Sequence, residues 1–160
     1  MATRGVLRLG DRTFPCTLGR SGCRALKREG DGATPIGKFS LETVLWRPDR
    51  GPPHTALPRR PIRPDDGWCD AVGDRNYNRP VRHPYPASAE HLWRADALYD
   101  IVVVLSANTR PRIQGRGSAI FMHLARPDGG PTAGCIALSR RDLRLVLERL
   151  GRGSRIVVTR

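Results

Sequence analysis

A mainly β (α+β) fold in a single domain spanning residues 1–160 is what the sequence predicts, and three observations carry it. "LYDIVVVLSAN" at 98–108 is a β-branched run with the composition of a strand buried on both faces. Several other short apolar runs are separated by Gly, Pro and Asp, the punctuation of turns. Only one stretch has helical spacing, Leu143, Val146, Leu147 and Leu150 at i, i+3, i+4 and i+7, so one helix is expected, in the C-terminal half.

In chain order, "GVLRL" and "RTFPCTL" flank Gly10-Asp11, which predicts a hairpin with a tight turn. The turn-rich "GRSGCRALKREGDGATPIGKF" follows, then a strand over "KFSLETVLW". From Pro48 to about Pro86 the chain is dense in Pro, Asp, Gly and Arg, and no periodicity is visible. A segment this long is too much for a simple connector, so a long irregular functional insertion is expected at about 46–95, ordered locally by Trp68, Tyr77 and Tyr85. "SAIFMH" predicts a buried strand that ends on His123, and "GCIAL" another short one. Ser139 and Asp142 have the spacing of a helix N-terminal cap, Gly151 that of a stop, and "RIVVT" that of a closing strand.

Hydrophobic residues make up 39% of the chain and charged residues 27%, ordinary for a globular domain of a size that needs no staples. No apolar run reaches the 18–20 residues of a membrane span, and the N-terminal residues show no signal-peptide core. The net charge of +13 comes almost wholly from arginine, Lys27 and Lys38 being the only lysines, and it favours polyanionic partners. The arginines are scattered in small groups without interleaved aromatics, so no specific nucleic-acid motif is present; a solvated surface is the plainer reading. Cys16, Cys23, Cys69 and Cys135 form no C-x-x-C and do not pair with histidines at zinc-ligand spacing, so no metal site is expected. Buried free thiols are the default for the first three, with Cys16–Cys23 and Cys16–Cys69 disulfides as alternatives in an exported protein.

The chemistry-bearing stretch is "GSAIFMHLARPDGGPTAGCIA" at 117–137. A cysteine nucleophile needs its thiolate, and a histidine within hydrogen-bond reach accepts the proton and later returns it to a leaving amine. A loop folding back from His123 would bring Cys135 to the same edge. Gly134 permits a tight backbone and close substrate approach, and the N–H groups of Gly134 and Cys135 are candidates for an oxyanion hole. The residues alone leave two readings open, a nucleophile with its base or a buried thiol beside a locally bonded imidazole.

"IFMH…PTAGCIALSRRDL" resembles the L,D-transpeptidase catalytic domain family (YkuD-like), which carries a histidine at a strand end, a loop of this length, Ser/Thr-x-Gly-Cys and then a helix. "DGATPIGKF" resembles the family's T-P-x-G-x-F segment, and "GWCD" with "YNRPV" and "YDIVVVLSAN" resembles a short bacterial subfamily. The resemblance runs over roughly residues 5–159 and implies a β-sandwich or barrel. It implies Cys135 as nucleophile, His123 as general base, Gly134 and Cys135 around the oxyanion, and Thr132 supporting the loop or substrate. Peptidoglycan stem peptides would be the substrate, cross-linked between their third residues through a thioester. Carbapenem-type β-lactams would be inhibitors, no cofactor or metal is implied, and the location would be periplasmic or at the cell wall. Asn108, after the central strand, is a candidate for orienting the substrate, with a plain strand-end turn as the alternative.

Two departures separate this chain from the family's S-H-G-C-x-R. Ala133 stands where the histidine is, and Ala137 where the arginine is. Arg126 and Arg140 are the candidates to supply the positive charge. The alanines also resemble a divergent branch that hydrolyses peptidoglycan-linked amides, so carboxypeptidase or amidase activity is the alternative within the same chemistry. A non-enzymatic polyanion- or wall-binding domain is the alternative outside it.

Overall fold

The computed structural model describes residues 2–160, and it is mainly β, as the sequence predicts. Strands β1 (Arg4–Leu9) and β2 (Arg12–Thr17) form the expected hairpin around Gly10, whose φ of 61° only glycine adopts freely. The short β3 (Cys23–Arg24) and β4 (Thr34–Pro35) pair with each other, and β5 (Gly37–Trp46) is the longest strand. After β6 (Arg59–Pro61), strands β7 (Asp66–Cys69), β8 (Pro80–Arg82) and β9 (Ala89–His91) follow. The remaining elements are β10 (Ile101–Leu105), β11 (Phe121–Leu124), β12 (Ile136–Leu138), helix α1 (Arg140–Leu147) and β13 (Arg155–Val158).

One eight-stranded mixed sheet runs β1-β2-β12-β11-β10-β5-β13, with β6 added beside β5. Alternation along its strands sorts the apolar side chains into two cores. Ile101, Val103 and Leu105 of β10 face one core; Val102 and Val104 face the other. Helix α1 covers the first face with Leu143, Val146 and Leu147, each fully buried, about 2 kcal/mol apiece. The Ser139 hydroxyl accepts from the Asp142 N–H at 3.0 Å, as the cap spacing predicts. The helix stops at Leu147 with Glu148 as its cap, earlier than Gly151, although Leu150 still packs into the same core.

The segment at 46–95 corrects the expectation of an irregular insertion. It builds a three-stranded antiparallel sheet, β8-β7-β9, which lies over the second face of the main sheet. Its strands are three or four residues long and one opens on Pro80, too short for a period of two to show in sequence. Trp68 meets Phe121 of the main sheet edge-on, with ring centroids 5.2 Å apart, and Tyr77 is wholly buried. Both aromatics therefore anchor the insertion. An open groove of about 840 Å³ lies on the opposite face, between β1 and β13, and neither Cys135 nor His123 lines it.

Candidate active site

β11 and β12 run parallel, with His123 opposite Ala137 and Met122 opposite Ile136. That register sets Cys135, immediately before β12, beside Phe121 and on the same face as His123. The two are diagonal neighbours on adjacent strands, a placement that brings a ring and a thiol within reach of one another. His123 sits one residue inside the end of β11, and Ala125 continues the pairing by donating to Leu138 O at 2.7 Å.

Gly134 explains why the motif at 31–39 accompanies the one at 132–138. Its φ is 143°, and a Cβ there would stand 2.9 Å from the carbonyl oxygen of Ala33. The "GATPIG" segment thus presses directly on the backbone that presents the thiol. Thr34 Oγ1 accepts from Gly19 N at 2.9 Å and donates to Cys135 O at 3.5 Å. Thr132 Oγ1 donates to Cys135 O at 2.7 Å and accepts from Gly134 N at 3.1 Å. Thr132 therefore supports the loop. Its hydroxyl takes up the Gly134 N–H, whereas among the described residues no turn or loop hydrogen bond engages the Cys135 N–H.

Both candidate side chains are buried, Cys135 8% and His123 6% exposed. No hydrogen bond joins them. The thiol donates to Ala119 O at 3.2 Å, and Sγ accepts from Phe121 N at 3.4 Å. His123 Nδ1 lies 2.8 Å from Leu124 O, and because a carbonyl only accepts, Nδ1 carries the proton and Nε2 is left as the basic nitrogen. Burial lowers the imidazole to about 4 and raises the thiol to about 12, the latter with help from the Glu90 carboxylate. The pair is neutral at rest.

Residues that sequence reasoning passed over hold this arrangement. Ala119 has a φ of 50°, a left-handed conformation that a non-glycine residue holds only under constraint. Asn78 supplies it, its Oδ1 accepting from Ala119 N at 3.1 Å and from Trp68 Nε1 at 2.9 Å. Its amide also donates to Ala107 O and Asn108 O. Tyr99 packs edge-on against the His123 ring at 5.2 Å and donates to Glu90 Oε2 at 2.6 Å. Burial raises both the Tyr99 hydroxyl and the Glu90 carboxyl. The Glu29 carboxylate accepts from Tyr77 and Ser118, fixing the approach to β11. The signals available were the asparagine of "YNRPV" and the tyrosine of "LYD".

Asn108, with φ 51°, commits its whole amide to the loop after β10: it donates to Ile113 O and Gly117 O and accepts from Ile113 N. Of the two candidate arginines, Arg140 pairs with the buried Asp100, whose side chain is 2% exposed. Arg126 makes no ion pair among the described residues. It lines a hollow of about 350 Å³ with Asp96, Leu98, Pro127 and Asp128, and its charge bears on His123. All four cysteines are free thiols. Cys16 faces the helix-side core and Cys69 lies in the insertion, while Cys23 is only half-buried.

The family model of the L,D-transpeptidase catalytic domain, YkuD, matches residues 5–158, nearly the whole chain. Nothing among the curated proteins or the solved structures matches it.

Proposed function

On the premise that this chain belongs to the L,D-transpeptidase catalytic domain family, we propose that it is a cysteine acyltransferase cross-linking peptidoglycan stem peptides at the cell wall. The observation that carries the reading is the placement of Cys135 and His123 on one face of adjacent parallel strands, with Nε2 the free basic nitrogen. Sγ attacks the carbonyl carbon of the donor stem's third residue as its proton passes to Nε2. The Cys135 N–H is the candidate donor to the oxyanion. The C–N bond then breaks, Nε2 returns the proton to the departing amine, and a thioester remains on Cys135. An amine of a second stem attacks the thioester and its proton goes to Nε2; the C–S bond breaks, and Nε2 returns the proton to Sγ to regenerate the thiol. Thr132 and Gly134 hold the nucleophile's backbone for these steps, and Asn108 braces the loop leading to β11.

Intact-mass measurement after incubation with a carbapenem or a tetrapeptide stem tests this. One adduct on the wild type and none on Cys135→Ala is expected; no adduct, or the same adduct on the variant, overturns it. Ala133 and Ala137, in place of the family's histidine and arginine, favour a second reading in which water is the acceptor. Cross-linked dimers from donor and acceptor stems support transfer; free tripeptide stems alone support hydrolysis.

A further inference from the structure

The eight-stranded sheet does not close: its end strands, β1 and β13, flank the open groove of about 840 Å³. Every residue of both strands lines that groove, one after another. A sheet face would contribute only alternate residues, so the groove is bounded by two strand edges. Its floor is apolar, with Leu41, Met122, Ile136, Val146 and Leu150 reached from β5, β11, β12 and the α1 side. The helix-side core is thus open between the two ends of its own sheet.

The register shows which backbone groups these edges present. Leu18 N donates to Thr3 O at 2.8 Å, so Thr3 and Leu18 are a hydrogen-bonded pair of the hairpin. Antiparallel pairs alternate, which makes Gly5, Leu7 and Leu9 the bonded residues and aims the N–H and C=O of Arg4, Val6 and Arg8 away from β2. Pro15, which has no N–H, stands opposite Val6, as a non-bonded pair requires. On β13, Leu41 N donates to Ser154 O at 3.2 Å, and the same alternation turns Arg155 and Val157 outward. Among the described strands, β1 pairs only with β2 and β13 only with β5. Both edges are open to a further strand.

The side chains select the occupant. Arg4, Val6, Arg8, Arg155 and Val157, the same residues whose backbone groups point outward, are exposed, both valines at 61%. Among the described residues none of these arginines makes an ion pair, and no Asp or Glu side chain lines the groove. A second copy of β1 or β13 would set arginine against arginine across the new pair, which is unfavourable. A strand with acidic side chains on the outer row and apolar ones on the inner row suits both walls and the floor. We propose that the groove takes an extended segment of an acidic partner protein, added as a strand along β1. Its Asp or Glu side chains face Arg4, Arg8 and Arg155, and the apolar residues between them pack on the floor. The six residues of β1 span roughly 20 Å, which sets the segment at about six residues. Binding here is independent of the chemistry proposed for Cys135, which lines no part of the groove.

The probe is a dye-labelled octapeptide of alternating valine and glutamate, compared by fluorescence anisotropy with a valine–lysine octapeptide carrying the same dye. The protein is expected to bind the glutamate peptide at least about tenfold more tightly, a preference that narrows with added salt. An exposed ion pair is worth up to about fivefold, so Arg4→Gln/Arg8→Gln is expected to lose about tenfold on the glutamate peptide. Amide exchange followed by NMR reads the pairing itself. The N–H groups of Arg4, Val6 and Arg8 are expected to exchange at least about tenfold more slowly once unlabelled glutamate peptide saturates the protein. No binding at about 1 mM peptide, equal affinity for the two peptides, or binding that leaves those three amides unprotected overturns the proposal. Protection of the same amides without peptide, in a dimer seen by sedimentation, overturns it in favour of a second copy. Lauric acid binding the groove more tightly than the glutamate peptide does overturns it in favour of a lipid.

Discussion

Acidification should destabilise this protein through His123 in particular. The unfolded imidazole titrates near 6.5, whereas in the fold burial holds it at about 4. Between those values the unfolded chain binds one proton that the folded chain does not, so stability is complete above 6.5 and is lost as the pH falls toward 4. Integrating over that difference from pH 7 to pH 5 gives a loss of about 2 kcal/mol from this one group. The comparison is with His123→Asn, which keeps a donor for Leu124 O and removes the titration. Urea midpoints at pH 7 and pH 5 for both proteins give the loss by difference, so contributions common to the two proteins cancel. Wild type should lose about 2 kcal/mol more than the variant. Equal losses would mean an imidazole titrating near its ordinary value, and the neutral buried base would be refuted.

Two further outcomes follow from the same site. With burial raising the Cys135 thiol to about 12, its thiolate fraction at neutral pH lies about three orders of magnitude below that of an exposed cysteine. Iodoacetamide should label it correspondingly slowly, at a rate still rising with pH at 10; fast labelling with a plateau near neutrality would contradict the neutral pair. Gly134→Ala forces a methyl to 2.9 Å from Ala33 O at a φ of 143°, so about 1–3 kcal/mol of stability from backbone strain alone should vanish in denaturant titration, along with thioester formation.

What the sequence made legible follows the strength of the local signal. The β10 run, the hairpin at Gly10 and the Ser139 cap are set by neighbours in the chain, and each is found where the pattern places it. The candidate pair was legible only through company: "TPIGKF" had to be connected with "TAGC", and the structure gives the physical link as Ala33 O pressed on Gly134. The sheet inside the insertion, the clamp by Asn78 and the Tyr99–Glu90 bond were not legible, because each is a contact between distant segments with no periodicity of its own. The pairing of β2 with β12, against the chain order, was hidden for the same reason.

The neutral pair also limits how the chemistry can begin. Burial holds the thiol up at about 12 and the imidazole down at about 4, so both groups favour their neutral forms in the resting site. In the proposed acyl transfer the proton therefore moves to Nε2 as the sulfur–carbon bond forms, and free thiolate does not accumulate. On this account slow alkylation by a small electrophile is compatible with acylation by a stem peptide that presents its carbonyl to the thiol and the imidazole at once.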